Sequence, residues 1–447
     1  MKRITEETVL LISIFKWFVL ASIVGVLVGL STTLFLLVLE KATSFTSGQS
    51  EHYYLLLPLA LFLSAAITRW APEAEGHGTE KVIESVHKRQ AMIKTAVVPI
   101  KLVSTVITLA CGGSAGKEGP CAQIGGGLAS TFANLFKFSP ADRKKLVICG
   151  ISAGFASVFG TPIAGAIFGI EVLFVGGIMY DILLPSFIAG VTSYQISSYF
   201  GVSYFYHFID FVPAFSELFF LKVIIGGVIF GIASLLLIEV MKSTAKISKR
   251  IPLTPPVKGL IGGLLLVGLT MVSSTRYLGL GLENIEGFLA GDPAEWWDFL
   301  AKILFTSITL SFGGSGGVVT PIFFIGTAIG SFYGQVMGLD PATFAAIGMV
   351  SLLAGAANTP IAASILAVEM FGPKIAPYAA VACVTCFLMT GHRSVYPSQV
   401  FAIMKSSSFK HEVGQEVEEM QAEFVLRKRS LTRLLLSLFR KFFRFRG

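Results

Sequence analysis

The chain has 447 residues, 53% of them hydrophobic and only 14% charged, with a net charge of +8. A soluble domain carries about 25% charged residues, so this composition excludes an ordinary soluble protein and, given the number of apolar runs, a protein with a single anchor. The charge excess does not mark a nucleic-acid partner, because it lies in one stretch: residues 425–447 hold Arg427, Lys428, Arg429, Arg433, Arg440, Lys441, Arg444 and Arg446 and no Asp or Glu.

Long apolar runs fall near 9–38, 53–70, 93–111, 145–175, 178–200, 217–241, 259–275, 297–312, 321–338, 343–370 and 374–391. Several exceed the roughly 20 residues that span a bilayer core. The first is too long for a cleaved secretory signal. The runs are continuously apolar rather than alternating, which argues against a β-barrel, and an open sheet cannot face lipid. The expected fold is therefore all-α and polytopic. Residues 200–216 read as an aromatic connector and 276–296 as a polar loop. The transmembrane domain is placed at 1–408, with one half at about 9–205 and the other at about 215–405. The tail, 409–447, is too short for a separate folded domain. Its basic stretch mixes Leu and Phe with Arg at near-helical spacing, which suits an amphipathic segment on an anionic inner leaflet. Positive-inside bias puts both termini in the cytoplasm, and the expected location is the inner (plasma) membrane, as a multi-pass protein. The five cysteines sit in apolar context, and Cys383 and Cys386 lack a second ligand pair, so neither a metal nor a disulfide framework is expected.

The two halves carry the same strings in the same order. Gly112-Gly113-Ser114-Ala115-Gly116-Lys117-Glu118-Gly119-Pro120 matches Gly313-Gly314-Ser315-Gly316-Gly317-Val318-Val319-Thr320-Pro321 at an offset of 201. Thr161-Pro162-Ile163-Ala164 with Glu171 matches Thr359-Pro360-Ile361-Ala362 with Glu369 at an offset of 198. This is an internal duplication, and the many Gly and Pro residues in apolar runs predict broken helices meeting at mid-membrane. Span counting leaves open whether the halves are parallel or inverted.

Each Gly-rich block ends in a proline suited to the first turn of a helix. Helices are predicted to start near Gly119-Pro120 and near Thr320-Pro321, with N–H groups and the positive dipole end aimed back at the glycines. That is an anion site, and two of them can converge on one ion. Glu118 stands at such a helix start in an apolar stretch, and an intramembrane carboxylate is a functional hypothesis by default. Being an anion itself, it can take the seat of a transported anion and leave it on protonation. A salt bridge to Lys117 is a poor alternative, since adjacent helical residues do not face each other.

These blocks, with Ser394-Val395-Tyr396-Pro397 and with Gly76-His77-Gly78-Thr79-Glu80 in the place of a GSGIP stretch, resemble the CLC family of anion channels and anion/proton antiporters over about residues 70–400. The resemblance implies two inverted repeats, a homodimer with one pore per subunit, and anion sites made by backbone amides near Gly76-His77, Glu118-Gly119 and Val318-Val319 with a hydroxyl from Tyr396. The gating and proton-transfer residue is then Glu118. The anion-binding candidates are Gly76, His77, Lys117, Gly119, Val318, Val319, Thr320 and Tyr396. The chain also departs from the family. His77 replaces the chloride-coordinating Ser, Thr79-Glu80 replaces Ile-Pro and can shift a helix start, Val319 replaces a Phe, and Val172 stands where many antiporters have an inner proton-transfer Glu. Glu171 and Glu369 read as structural carboxylates.

The function expected is proton-coupled halide antiport, with fluoride ahead of chloride and a passive chloride channel gated by Glu118 as the alternative. The expected partners are halide anions, protons, lipid and a second copy of the chain. No cofactor and no enzymatic activity are expected, since there is no nucleophile–base pair, metal cluster or phosphate loop. A scaffold would not need Glu118 at a broken helix, and a cation carrier would use more intramembrane acids.

Overall fold

The computed structural model of the chain describes residues 2–50, 52–204, 206–209, 216–406, 409–410, 414–419 and 423–424. The basic stretch at 425–447, and with it the expected amphipathic segment, lies outside the described residues.

Sixteen α-helices are described. The first eight are α1 (Lys2–Gln49), α2 (Leu57–Thr68), α3 (Gly78–Lys88), α4 (Val97–Ala110), α5 (Glu118–Leu135), α6 (Pro140–Phe159), α7 (Pro162–Glu171) and α8 (Tyr180–Tyr199). The second eight are α9 (Glu217–Arg250), α10 (Pro255–Val272), α11 (Leu282–Leu289), α12 (Asp298–Ser311), α13 (Val319–Val336), α14 (Pro341–Ala356), α15 (Pro360–Phe371) and α16 (Ala376–Met389). The duplication thus extends to every helix, α1 with α9 through α8 with α16. α4 and α12 match at an offset of 201, as do α5 and α13.

Local chemistry sets the helix boundaries. Prolines open α6, α7, α10, α14 and α15 at positions where a missing N–H costs nothing. Ser139, Ser216 and Asp340 cap α6, α9 and α14 by accepting from backbone N–H groups. Among the described residues, four helices are long and apolar enough to cross a membrane, and six more apolar helices are shorter than a span. The long runs near 145–175 and 343–370 are each cut in two, by Thr161-Pro162 and Thr359-Pro360. The polar stretch 276–296 differs from the expected loop. It forms a 3-10 turn and then α11, which buries Ile285, Phe288 and Leu289. That amphipathic helix mates with α3, and neither was marked by an apolar run.

The halves are inverted, and a pair of carboxylates shows it. Glu171, at the end of α7, accepts from the Ile361 and Ala362 N–H groups at the start of α15 (3.0 and 2.7 Å). Glu369, near the end of α15, accepts from the Ile163 and Ala164 N–H groups at the start of α7 (3.1 and 2.7 Å). Such a reciprocal pair requires α7 and α15 to run antiparallel. It also satisfies amides that a helix start leaves without partners, with charge of the favourable sign. Both carboxylates are structural, as the sequence suggested.

Close packing inside each half follows the same symmetry. α5 crosses α6 at Gly125 and Gly150, where a methyl on either would overlap the other's carbonyl. α13 crosses α14 at Gly326 and Gly348 in the same way. Small residues let helix backbones approach where lipid gives no hydrophobic drive.

Candidate functional site

The Gly-rich strings that precede α5 and α13 lie against each other. The Gly116 N–H donates to the Gly317 carbonyl (2.7 Å), and the Gly317 N–H donates to the Gly116 carbonyl (2.6 Å). His77, just before α3, pairs with Gly316 as a parallel bridge. Three loops therefore converge at one point, and α3, α5 and α13 each start there.

Hydroxyls from α4 and α12 hold these loops, again in mirror fashion. The Ser114 N–H donates to Thr309 Oγ1 (3.1 Å), and Ser114 Oγ pairs with Thr306 Oγ1 (3.0 Å). The Ser315 N–H donates to Thr108 Oγ1 (3.0 Å), and Ser315 Oγ pairs with Thr105 Oγ1 (3.1 Å). All six side chains are buried, so irregular backbone at this depth is satisfied by protein groups, as a low-dielectric interior demands.

Two buried lysines complete the pattern. Lys101 Nζ donates to the carbonyls of Ala74 (3.1 Å) and Gly76 (2.5 Å), which fixes the turn that delivers His77 and α3. Its mate Lys302 donates to the carbonyls of Tyr277 (3.1 Å) and Gly279 (3.0 Å) ahead of α11. Sequence reasoning missed both, although each is the one Lys or Arg of its helix, α4 or α12, and the two are 201 residues apart.

Glu118 is 1% exposed. Its carboxylate does not turn to Lys117. Oε2 accepts from the Thr320 N–H (3.1 Å), and Oε1 accepts from Thr320 Oγ1 (2.5 Å). Thr320 is the second residue of α13. The acid of the first repeat thus sits on the helix start of the second, where free amides and the dipole favour negative charge. Gly116 makes room for it: a Cβ there would stand 2.5 Å from Glu118 Oε2.

Tyr396 is fully buried, with its ring 5.9 Å from that of His77. The Tyr396 hydroxyl, Thr79 Oγ1 and His77 Nδ1 are buried atoms that lack a hydrogen-bond partner meeting normal geometry. Buried hydroxyls without an acceptor are costly, so those of Tyr396 and Thr79, beside the start of α3, mark a place for a hydrogen-bond acceptor. A network holds Tyr396 in place. The Tyr396 N–H donates to Ser394 Oγ (3.0 Å), and Ser394 Oγ donates to Gln399 Oε1 (2.6 Å). Gln399 Nε2 donates to the carbonyls of Val172 and Ala357, both at 2.8 Å. Gln399 is a third residue that sequence reasoning missed, and its polar context gave no signal of its burial.

The remaining candidates are placed as follows. Gly76 adopts φ +70°, a left-handed conformation that glycine accepts without strain. α3 starts at Gly78, directly after His77, so Thr79 and Glu80 lie in its first turn. Gly119 packs within van der Waals reach of Gly317 and Thr79. Val318 and Val319 are buried at the start of α13. The Lys117 side chain lies at the edge of the site, lining a vestibule of about 480 Å³ with Glu118, Thr320, Phe323, Glu40 and Glu286. It supplies positive potential on the approach rather than a contact to the docked carboxylate. Cys383 and Cys386 are buried between helices without a metal-ligating set among the described residues.

Inverted repeats whose broken helices aim their starts at one buried, polar point define a membrane protein that handles anions. The chain belongs to the family described as the voltage gated chloride channel, whose pattern matches residues 59–391. It is 36% identical over 405 residues to a chloride/fluoride channel protein of Pseudomonas syringae pv. tomato, covering 89% of each chain. It is 28% identical over 397 residues to the H(+)/Cl(-) exchange transporter ClcA of Klebsiella pneumoniae, covering 78% of this chain and 80% of that one. Among solved structures, a CLC-type fluoride/proton antiporter superposes with a TM-score of 0.82 at 29% identity, covering 87% of this chain and 98% of the other. A slow cyanobacterial Cl-/H+ antiporter shares the fold, with a TM-score of 0.74 at 22% identity.

Proposed function

We propose that the protein is a proton-coupled halide antiporter that takes fluoride ahead of chloride. The observation that carries this reading is Glu118 docked on the Thr320 N–H and hydroxyl at the start of α13. A carboxylate and a halide compete for one electropositive seat. Protonation removes the charge that these donors stabilise, so the side chain leaves and the anion enters. Each exchange then moves a proton against an anion. The named relatives, a chloride/fluoride channel protein and a fluoride/proton antiporter, support the same substrates. Fluoride is favoured because it is small and accepts strong hydrogen bonds, and the site offers the buried hydroxyls of Thr79 and Tyr396.

The uncoupled reading, a passive chloride channel gated by Glu118, has one observation in its favour. Val172, fully buried at the end of α7, supplies no carboxylate there. The two readings separate in liposomes. A fluoride or chloride gradient across membranes containing the protein drives proton movement, read by a pH probe, if the protein is an antiporter. Halide flux without proton movement identifies a channel. We read the molecule as a transporter without enzymatic activity, in the inner (plasma) membrane, with cytoplasmic termini. The family resemblance supports a homodimer.

A further inference from the structure

Glu118 opens onto the vestibule, whose wall includes Leu36 to Ser44 of α1. Toward the other end of α1, Lys16 pairs with Asp142 at the start of α6 (2.8 Å). Beside Asp142, Lys144 lies 5.8 Å from the Phe174 ring, and His87 at the end of α3 packs edge-on against that ring at 5.0 Å. From Lys16 to Leu36, α1 rises about 30 Å at 1.5 Å per residue, one hydrocarbon thickness. α3 therefore leads from the anion site toward the face opposite the vestibule.

Glu80 is the third residue of α3 and is partly exposed. Its carboxylate reaches across to Ser398, two residues past Tyr396, and accepts from the Ser398 N–H (3.1 Å) and Oγ (2.5 Å). Lys81 and Glu84 on its own helix are the charged groups that act on it, and Ser398 is the group that faces it from the late segment. The Tyr396 hydroxyl lies beside Thr79 Oγ1 and within electrostatic reach of both Glu118 and Glu80, and Tyr396 stands two residues before Ser398, on which Glu80 rests. Both hydroxyls are buried. The end of α7 offers Val172 and no titratable group at that place.

We propose that Glu80 is the proton acceptor on the side of the site away from the vestibule. A proton leaves the Glu118 carboxylic acid and is handed along the Thr79 and Tyr396 hydroxyls, each releasing its own proton as it accepts one. It arrives on the Glu80 carboxylate. Glu118 is left as a carboxylate and redocks on Thr320, and Glu80 releases the proton to water on its exposed side. The inference rests on the proton-coupled reading above.

The rival role for Glu80 is a structural cap on the Ser398 loop. Glu80→Gln separates the two, because its amide oxygen still accepts from Ser398 but carries no proton at physiological pH. Glu80→Asp keeps a titratable group. The wild-type protein and both variants are placed in liposomes, and halide efflux and halide-driven proton movement are recorded together, with fluoride and with chloride. In Glu80→Gln, halide efflux persists and proton movement falls by about tenfold or more, the least that loss of a positioned proton carrier costs. In Glu80→Asp, proton movement is retained. Wild-type proton movement in Glu80→Gln overturns the proposal, and so does loss of halide efflux in both variants, which identifies a cap. A wild-type protein that moves halide but no protons removes the coupled reading itself, a result distinct from either.

Discussion

Replacing Gly116 with Ala should unseat the gate without removing a single polar donor. The added methyl would stand 2.5 Å from Glu118 Oε2 and 3.0 Å from both the Thr320 N and Oγ1. The carboxylate is the end of a flexible side chain, whereas the Thr320 N belongs to a helix, so the carboxylate is what moves. It gives up two hydrogen bonds. Bonds to a charged group are worth about 1.5–3 kcal/mol each, so the docked state loses up to ~3–6 kcal/mol. That is a factor of about 10²–10⁴ in its population, reduced by whatever hydration the carboxylate regains in the vestibule. In liposomes, wild-type halide efflux rises as pH falls, because protonation releases Glu118. In Gly116→Ala the pH dependence flattens and proton coupling weakens. A double-mutant cycle isolates the cause. Gly116→Ala in a Glu118→Ala background should do nothing further, because the group it displaces is gone. Additive effects of the two substitutions would refute the reasoning and move the role of Gly116 to the loop pairing with Gly317.

Other substitutions test the supports. Glu118→Gln removes the titrating group, so halide-driven proton movement is lost in the pH-probe assay. Lys101→Met leaves the buried carbonyls of Ala74 and Gly76 without their donor, at about 1–3 kcal/mol each; thermal unfolding in detergent should report it, with weakened halide binding as a second readout. Lys302→Met has the same type of partners and should cost a similar amount of stability. Glu171→Ala and Glu369→Ala each strip two amides of their acceptor. Both should lower the unfolding midpoint, Glu171→Ala by more, because Glu171 is the better buried of the two.

Much of this was legible in the sequence, for physical reasons. A helix start buried in a membrane needs a proline or an acid, glycines before it and partners for its amides, and those demands leave strings such as Gly116–Pro120 and Gly317–Pro321. Duplication made them visible twice. The pairing of Glu171 with the start of α15 was not legible, because it depends on which way the second half runs. α11 escaped notice, and α3 was signalled only by the family resemblance, because both are short and amphipathic and give no apolar run. Gln399 is fully buried yet comes from a polar segment; only the fold brings Val172, Ala357 and Ser394 around it. Lys101 and Lys302 could have been found, since a cation at matching depth in both halves needs carbonyls to hold it.

Calorimetric halide titration across pH, at constant ionic strength, puts the competition between Glu118 and the anion to the most direct test. In the wild-type protein, fluoride or chloride affinity should strengthen as pH falls and Glu118 leaves the Thr320 seat, while Glu118→Ala should bind more tightly at neutral pH and independently of pH. Equal affinities and equal pH dependence in the two proteins would contradict the account.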